Sequence, residues 1–287
     1  MLAVYKRELQ SYVTSMTGFV CVAFFLVIAG VYFFVNNLDA LYSNFEYTLS
    51  AISFVYIIMV PLMTMRILAE ERKQKTDQLL LTAPVSVEKV IISKYLAVFT
   101  VFFAGMAVLL FYPLILTRYG TVDLGQTYGA WLAFLLMGAA YLAIGMFISS
   151  LTESQMISAV VTFLVLLLMF FMGDLAGKLP TAPQQQWLMF SGILWVGCFV
   201  LWILIRNVYP PIFVGCIGEI ALTLLYRYYP IFYENRLAGV IRWFSLSSRF
   251  TDFVNGIFHV SSVFYYFSVI CLFVFLTVQV VKRRRWV

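Results

Sequence analysis

Charge is scarce in this sequence. Of its 287 residues only 11% are Asp, Glu, Lys or Arg, against roughly 25% in an average globular domain. Hydrophobic residues make up 63%, and the mean hydropathy is +0.95. A water-soluble fold could not cover that much apolar surface, so the composition calls for a bilayer. Histidine is nearly missing: His259 stands alone beside the last apolar run and reads as an interfacial residue. The four cysteines, Cys21, Cys198, Cys216 and Cys271, fall in apolar stretches without metal-ligand or disulfide spacing, and are expected to be small buried hydrophobes.

Other absences exclude whole classes of function. There is no GxxxxGK[ST] phosphate-binding loop, and the longest non-spanning segment, 227–259, has 33 residues, short of the roughly 50–200 of a folded domain. ATP binding and hydrolysis by this chain are therefore not expected. HExxH and GxSxG are also missing, which leaves a membrane protease or esterase, or a metal enzyme, without support. No cleavable signal peptide is expected, because Lys6, Arg7 and Glu8 precede an apolar run of full membrane length.

What is present is apolar length. A helix needs about 20 mainly apolar residues to cross the hydrocarbon core. Eight stretches come close: about 16–36, 47–65, 95–117, 128–150, 155–173, 188–205, 208–226 and 260–281. The fold class expected is an all-α polytopic transmembrane bundle, a single domain over 1–287, with about eight spans. The least regular pair, 188–226, is interrupted at Arg206, Asn207, Pro210 and Pro211 and reads as a tight hairpin or a re-entrant element. With both termini in the cytoplasm, 13 of the 19 basic residues fall inside, including Lys282, Arg283, Arg284 and Arg285 after the last span.

Three segments outside the spans carry pattern. In 1–15, Leu2, Tyr5, Leu9 and Tyr12 form one helical stripe with Lys6, Arg7 and Gln10 turned away, as in an interfacial helix, with a solvated tail carrying a positive-inside anchor as the plainer alternative. The cytoplasmic segment 66–94 opens with Glu70, Glu71, Arg72, Lys73, Lys75 and Asp77, able to pair along a helix surface; Leu79, Leu80 and Leu81 follow before Pro84. A charged helix ending in leucines suits a groove on a cytoplasmic partner, and a solvated loop is the plainer alternative. The outer segment 227–259 holds two amphipathic patterns, Leu237, Val240, Ile241, Phe244 and then Phe250, Phe253, Val254, Ile257, Phe258, broken at 245–248. Glu219 is an ionisable group inside an apolar stretch, by default a functional hypothesis. It is either a proton or cation site of a secondary carrier, or a group that is protonated, hydrogen-bonded between helices, or nearer the outer end if the hairpin is shifted. The second is favoured, because a coupled carrier would show several such groups or unwound helices in paired halves.

The residues then match a family. Tyr5, Lys6, Arg7, Glu8, Leu9, Tyr12, Thr14 and Ser15 open the chain. Pro61 to Arg66, Ala69 to Arg72, Lys75, Thr76 and Leu79 to Ser86 form the middle stretch. Phe250, Asp252, Phe253, Gly256 to Phe258, Tyr265, Tyr266, Phe275 to Thr277 and Lys282 to Trp286 close it. Together they resemble the membrane subunit of type-2 ABC transporters, in particular the gliding-motility-type permease and its Firmicutes relatives. The wider class has six spans, so the apolar pair at 188–226 is a departure.

The resemblance implies a permease subunit of the bacterial inner membrane, exporting, paired with a second permease copy or a related permease. Its power would come from a separate ABC ATPase that holds the ATP and Mg; no cofactor on this chain and no nucleic-acid partner are implied, while a gliding-motility-type auxiliary subunit is. Coupling to the ATPase is assigned to Arg66, Glu70, Glu71, Arg72, Lys75, Leu79, Leu80 and Leu81. The extracellular gate is assigned to Phe244, Phe250, Phe253, Ile257 and Phe258. Two other classes stay open: an ion-coupled carrier using Glu219, and a membrane scaffold that moves nothing.

Overall fold

A computed structural model describes residues 1–14, 16–75, 86–205, 209–233 and 235–285. Among the described residues the chain is helical with no strand. Six stretches are long and apolar enough to cross a membrane: Gly18–Asp39, Phe45–Lys73, Val87–Leu116, Leu124–Leu151, Gln155–Lys178 and Val260–Arg283. The chain divides into two compact units, Met1–Phe170 with Leu246–Val287, and Phe171–Ser245.

The first unit contains α1 (Leu2–Thr14), α2 (Met16–Phe33), α3 (Phe45–Ile52), α4 (Tyr56–Thr64), α5 (Ala69–Lys73), α6 (Val87–Val108), α7 (Phe111–Leu116) and α8 (Leu124–Leu151). It also takes in the first part of α9 (Gln155–Lys178), and α13 (Leu246–Val254) and α14 (Val260–Arg285). Helix α8 is the hub, packed against α3, α4, α6, α13 and most extensively α14. Its sequence explains why. Ala130, Ala133, Ala139, Ala140 and Ala143 are buried on it, and small residues let helix backbones approach where no hydrophobic effect drives them together. At two points the approach permits no side chain at all: a Cβ on Gly138 would strike the Phe102 ring, and one on Gly145 would strike Thr64.

An aromatic cluster fills the centre. The Tyr56 ring lies 4.6 Å from Phe134, 5.7 Å from Phe102 and 6.2 Å from Tyr141. Three polar tips inside this core reach backbone carbonyls: Tyr56 donates to Phe134 O at 3.1 Å, Tyr95 to Ala139 O at 3.0 Å and Trp131 to Met106 O at 3.0 Å. A rigid amphipathic ring with a satisfied hydroxyl or indole pins two helices at once.

The second unit holds the remainder of α9, then α10 (Pro183–Ile205), α11 (Tyr209–Tyr228) and α12 (Arg236–Phe244). Trp187 stacks on Tyr226 at 5.6 Å, Ser191 bonds Glu219, and Gly215 lies against Trp195 and Cys198. Residue numbers rise on one helix as they fall on the other, so α10 and α11 form an antiparallel hairpin of two full helices. Arg206 and Asn207, between the two helices in the chain, lie outside the described residues.

Two expectations change. Cys216 and Cys271 are exposed on their helices, and only Cys21 and Cys198 are buried; an apolar stretch has an outward face, and these two sit on it. Helix α6 starts at Val87, well ahead of the apolar run at 95–117, because the polar residues Glu88, Lys89 and Lys94 ride on the same helix as the apolar ones. The break expected at 245–248 narrows to Ser245, because Ser247 and Ser248 lie inside α13.

Candidate functional site

Helix α5 has only five residues, too few to stand alone in water. Its neighbours hold it. Ser149 on α8 accepts from Leu68 N at 3.3 Å and Ala69 N at 3.2 Å, supplying from another helix the cap that α5 lacks. Within α5, Glu70 and Glu71 occupy the first turn and Arg72 and Lys73 the last, the arrangement that complements the helix dipole. Arg72 reaches Glu153 at 2.6 Å. Lys75 follows with φ +56°, a left-handed residue just past the helix end.

The centre of the site is Lys94. Its side chain is 1% exposed, and its ammonium lies 2.8 Å from Glu71 Oε1, 3.1 Å from Glu8 Oε1 and 3.3 Å from Ile67 O. An ammonium has three N–H donors, and these three acceptors take them all. Arg7 closes the cluster, 2.8 Å from Glu8 and 3.3 Å from Glu71, so two cations and two carboxylates balance. Burial pushes the Glu8 carboxyl up, but Lys94 and Arg7 outweigh it and hold it below its usual range. The hydrogen bond to Glu8 raises the Arg7 guanidinium despite partial burial, and burial raises the Tyr12 phenol.

Helix α1 is tied to the same place. Tyr12 donates to Met63 O at 3.0 Å, the Tyr5 hydroxyl meets Thr100 Oγ1 at 3.0 Å, and Ser93 donates to Met1 O at 3.2 Å. The inward face of α1 is thus Tyr5, Glu8, Leu9 and Tyr12, while Leu2 points outward at 82% exposure. A cavity of about 400 Å³ opens among α1, the 66–74 segment and α6, with Arg7, Ser11, Arg66, Glu70 and Gln74 on its walls.

The residues expected to couple to an ATPase separate into groups. Glu71 and Arg72 are held by contacts within the chain, Arg66 and Glu70 are half-buried on the cavity, and Lys75 is exposed. Leu79, Leu80 and Leu81 lie outside the described residues. The sequence pattern gave no role to Lys94 or Glu8. The available signal was a lysine at i+7 from the start of a strongly apolar helix, a place that needs a counter-ion.

The expected gate residues also divide. Phe250 and Phe253 on α13 are buried, with Phe250 5.6 Å from Phe134 and Phe253 5.2 Å from Phe258. Ile257 and Phe258 are about half exposed, and Phe244 belongs to the second unit. Gln126 on α8 donates to Val254 O at 2.9 Å, and its amide lies against Gly256, whose φ of +78° suits glycine. Glu219 meets Ser191 Oγ with both carboxylate oxygens, at 3.0 and 2.8 Å. Among the described residues no cluster of His, Cys, Asp and Glu could hold a metal ion.

A helical membrane hub, with a short charged helix braced against its end, is the setting in which the sequence profile of the ABC-2 family transporter proteins matches residues 36–190. That is more than half of the chain. The chain belongs to the ABC-2 transporter family. It is a multi-pass membrane protein and a permease component of an ABC transporter. The matched region begins just past α2 and runs into α10, taking in α5, Glu71 and Lys94, and leaves out α1, α2 and α11 to α14. A search of curated proteins finds no match.

Proposed function

We propose that this chain is the permease subunit of an ABC exporter of the gliding-motility type, in its Firmicutes-like form, in a bacterial inner membrane. Two permeases associate, as identical or related copies, and each receives a separate ATPase beneath its 66–94 segment. The ATPase holds ATP and Mg. Both termini lie in the cytoplasm, α1 rests in the interface, and α10 and α11 are the pair added to a six-span core. Phe250, Phe253, Ile257 and Phe258 face outward as the gate, and an auxiliary subunit of the gliding-motility type completes the assembly.

The observation that carries this reading is the bracing of α5. A five-residue charged helix anchored by Ser149, Glu153 and Lys94 is built to bear load, and a solvated loop needs no such anchors. Glu219 is, in this reading, a tie between α10 and α11.

The test is purification of the tagged chain in mild detergent from its host, with mass spectrometry of what stays bound. A near-stoichiometric P-loop ATPase, active in the complex, supports the reading. A chain that comes down alone and moves ions or solute in proteoliposomes, with that movement abolished by Glu219→Gln, overturns it in favour of an ion-coupled carrier.

A further inference from the structure

The geometry points to Lys94 as the positioning residue that makes α1, α5 and the head of α6 move as one body. This rests on the permease reading above. A buried ammonium is expensive, and replacing a buried ion group by apolar residues of similar volume is often neutral or stabilising. The fold could have closed this junction with a methionine. What a methionine cannot do is hold three separate chain segments at once with directed bonds.

Lys94 does so. Glu8 comes from α1, Glu71 from α5 and the Ile67 carbonyl from the turn before α5, while Lys94 itself sits on α6. Its three donors are fully engaged, and Arg7 bridges the two carboxylates from outside. Displacing α5 without carrying α6 would pull Glu71 from the ammonium and leave the Lys94 charge, only 1% exposed, without one of its two carboxylates. Losing a partner of a buried ion pair is costly. Motion applied at α5 is thereby passed to α6, and through its packing to α8.

The experiment uses the permease–ATPase complex on a cysteine-free background, spin-labelled at Leu96 and Leu132, partly exposed positions on α6 and α8. Pulsed distance measurements are made without nucleotide and after trapping with ADP and vanadate. The wild type should shift on trapping by about 2 Å, the scale of helix displacements in switching proteins. Lys94→Met should lose more than half of that shift, and Lys94→Arg should restore it. A role confined to stability would lower the melting temperature and leave the shift alone.

Retention of the full shift in Lys94→Met, or no shift in the wild type, overturns the proposal. Should Lys94→Met fail to fold, the triple variant Glu8→Gln/Glu71→Gln/Lys94→Met removes the stranded carboxylates, leaving only the exposed Arg7 charged, and is read the same way. If no ATPase accompanies the chain, the permease reading fails by itself. The Lys94 link is then read in the isolated chain from labels at Lys73 and Leu96: a distribution broadened by Lys94→Met supports it, and an unchanged one overturns it.

Discussion

Lys94 Nζ and Glu71 Oε1 stand 2.8 Å apart at the junction of α6 and α5, with the lysine side chain only 1% exposed. The pair is buried, hydrogen-bonded and part of a neutral group of four charges. Its energetics differ from those of a surface ion pair, which contributes about 0–1 kcal/mol.

Removing one member should therefore cost more than removing all three. Lys94→Met alone strands Glu8 and Glu71, and is expected to destabilise the chain by about 3 kcal/mol. Glu8→Gln/Glu71→Gln/Lys94→Met should recover most of that loss. Thermal unfolding in mild detergent ranks the two, and equal melting temperatures would contradict the arrangement.

The pH dependence follows from Glu8. Its folded-state carboxyl is held below the ordinary value of 4.5, by Lys94 and Arg7 against the opposing effect of burial. A depressed carboxylate contributes stability that is present above its unfolded pKa and lost as pH falls through the folded one. The melting temperature of the wild type should drop below about pH 4.5, and Glu8→Gln should flatten that drop. A variant with the same acid profile as wild type would show that Glu8 is not the titrating group.

Helix α8 offers a packing test. Gly138→Ala would push a methyl group into the Phe102 ring and should cost about 1–3 kcal/mol. Phe102→Leu removes the ring atoms that a Cβ at 138 would strike. The double variant should thus be more stable than the sum of the two single losses, and simple additivity would place the two residues out of contact.

Glu219→Gln should leave both the assembly with the ATPase and its hydrolysis rate within about two-fold of wild type, because a neutral amide still accepts a hydrogen bond from Ser191. Ser191 and Glu219 already satisfy each other across the hairpin at 2.8 Å. A ten-fold loss of activity would assign Glu219 a part in transport.

Much of this fold could be read from the sequence, because a bilayer turns apolar length directly into helices. The break at Ser245 and the charged helix after Arg66 follow from turn and charge pattern. The site was legible only in outline. Lys94 looked like one more basic residue flanking a span, since the partners that neutralise it, Glu8 and Glu71, lie far off along the chain and meet it only through packing. Glu8 was hidden for the same reason: the α1 pattern was read from its apolar residues, and the inward face includes a carboxylate. The outward faces of Cys216 and Cys271 could not be told from inward ones, because a lipid-facing surface is as apolar as a packed one.

The central claim is that a separate ATPase docks on the 66–94 segment, and the most direct measurement is its stoichiometry on the purified chain. With Leu79→Asp, Leu80→Asp and Leu81→Asp combined, bound ATPase should fall at least ten-fold while the chain remains folded and in the membrane. An ATPase retained at wild-type stoichiometry by that variant would contradict docking at this segment.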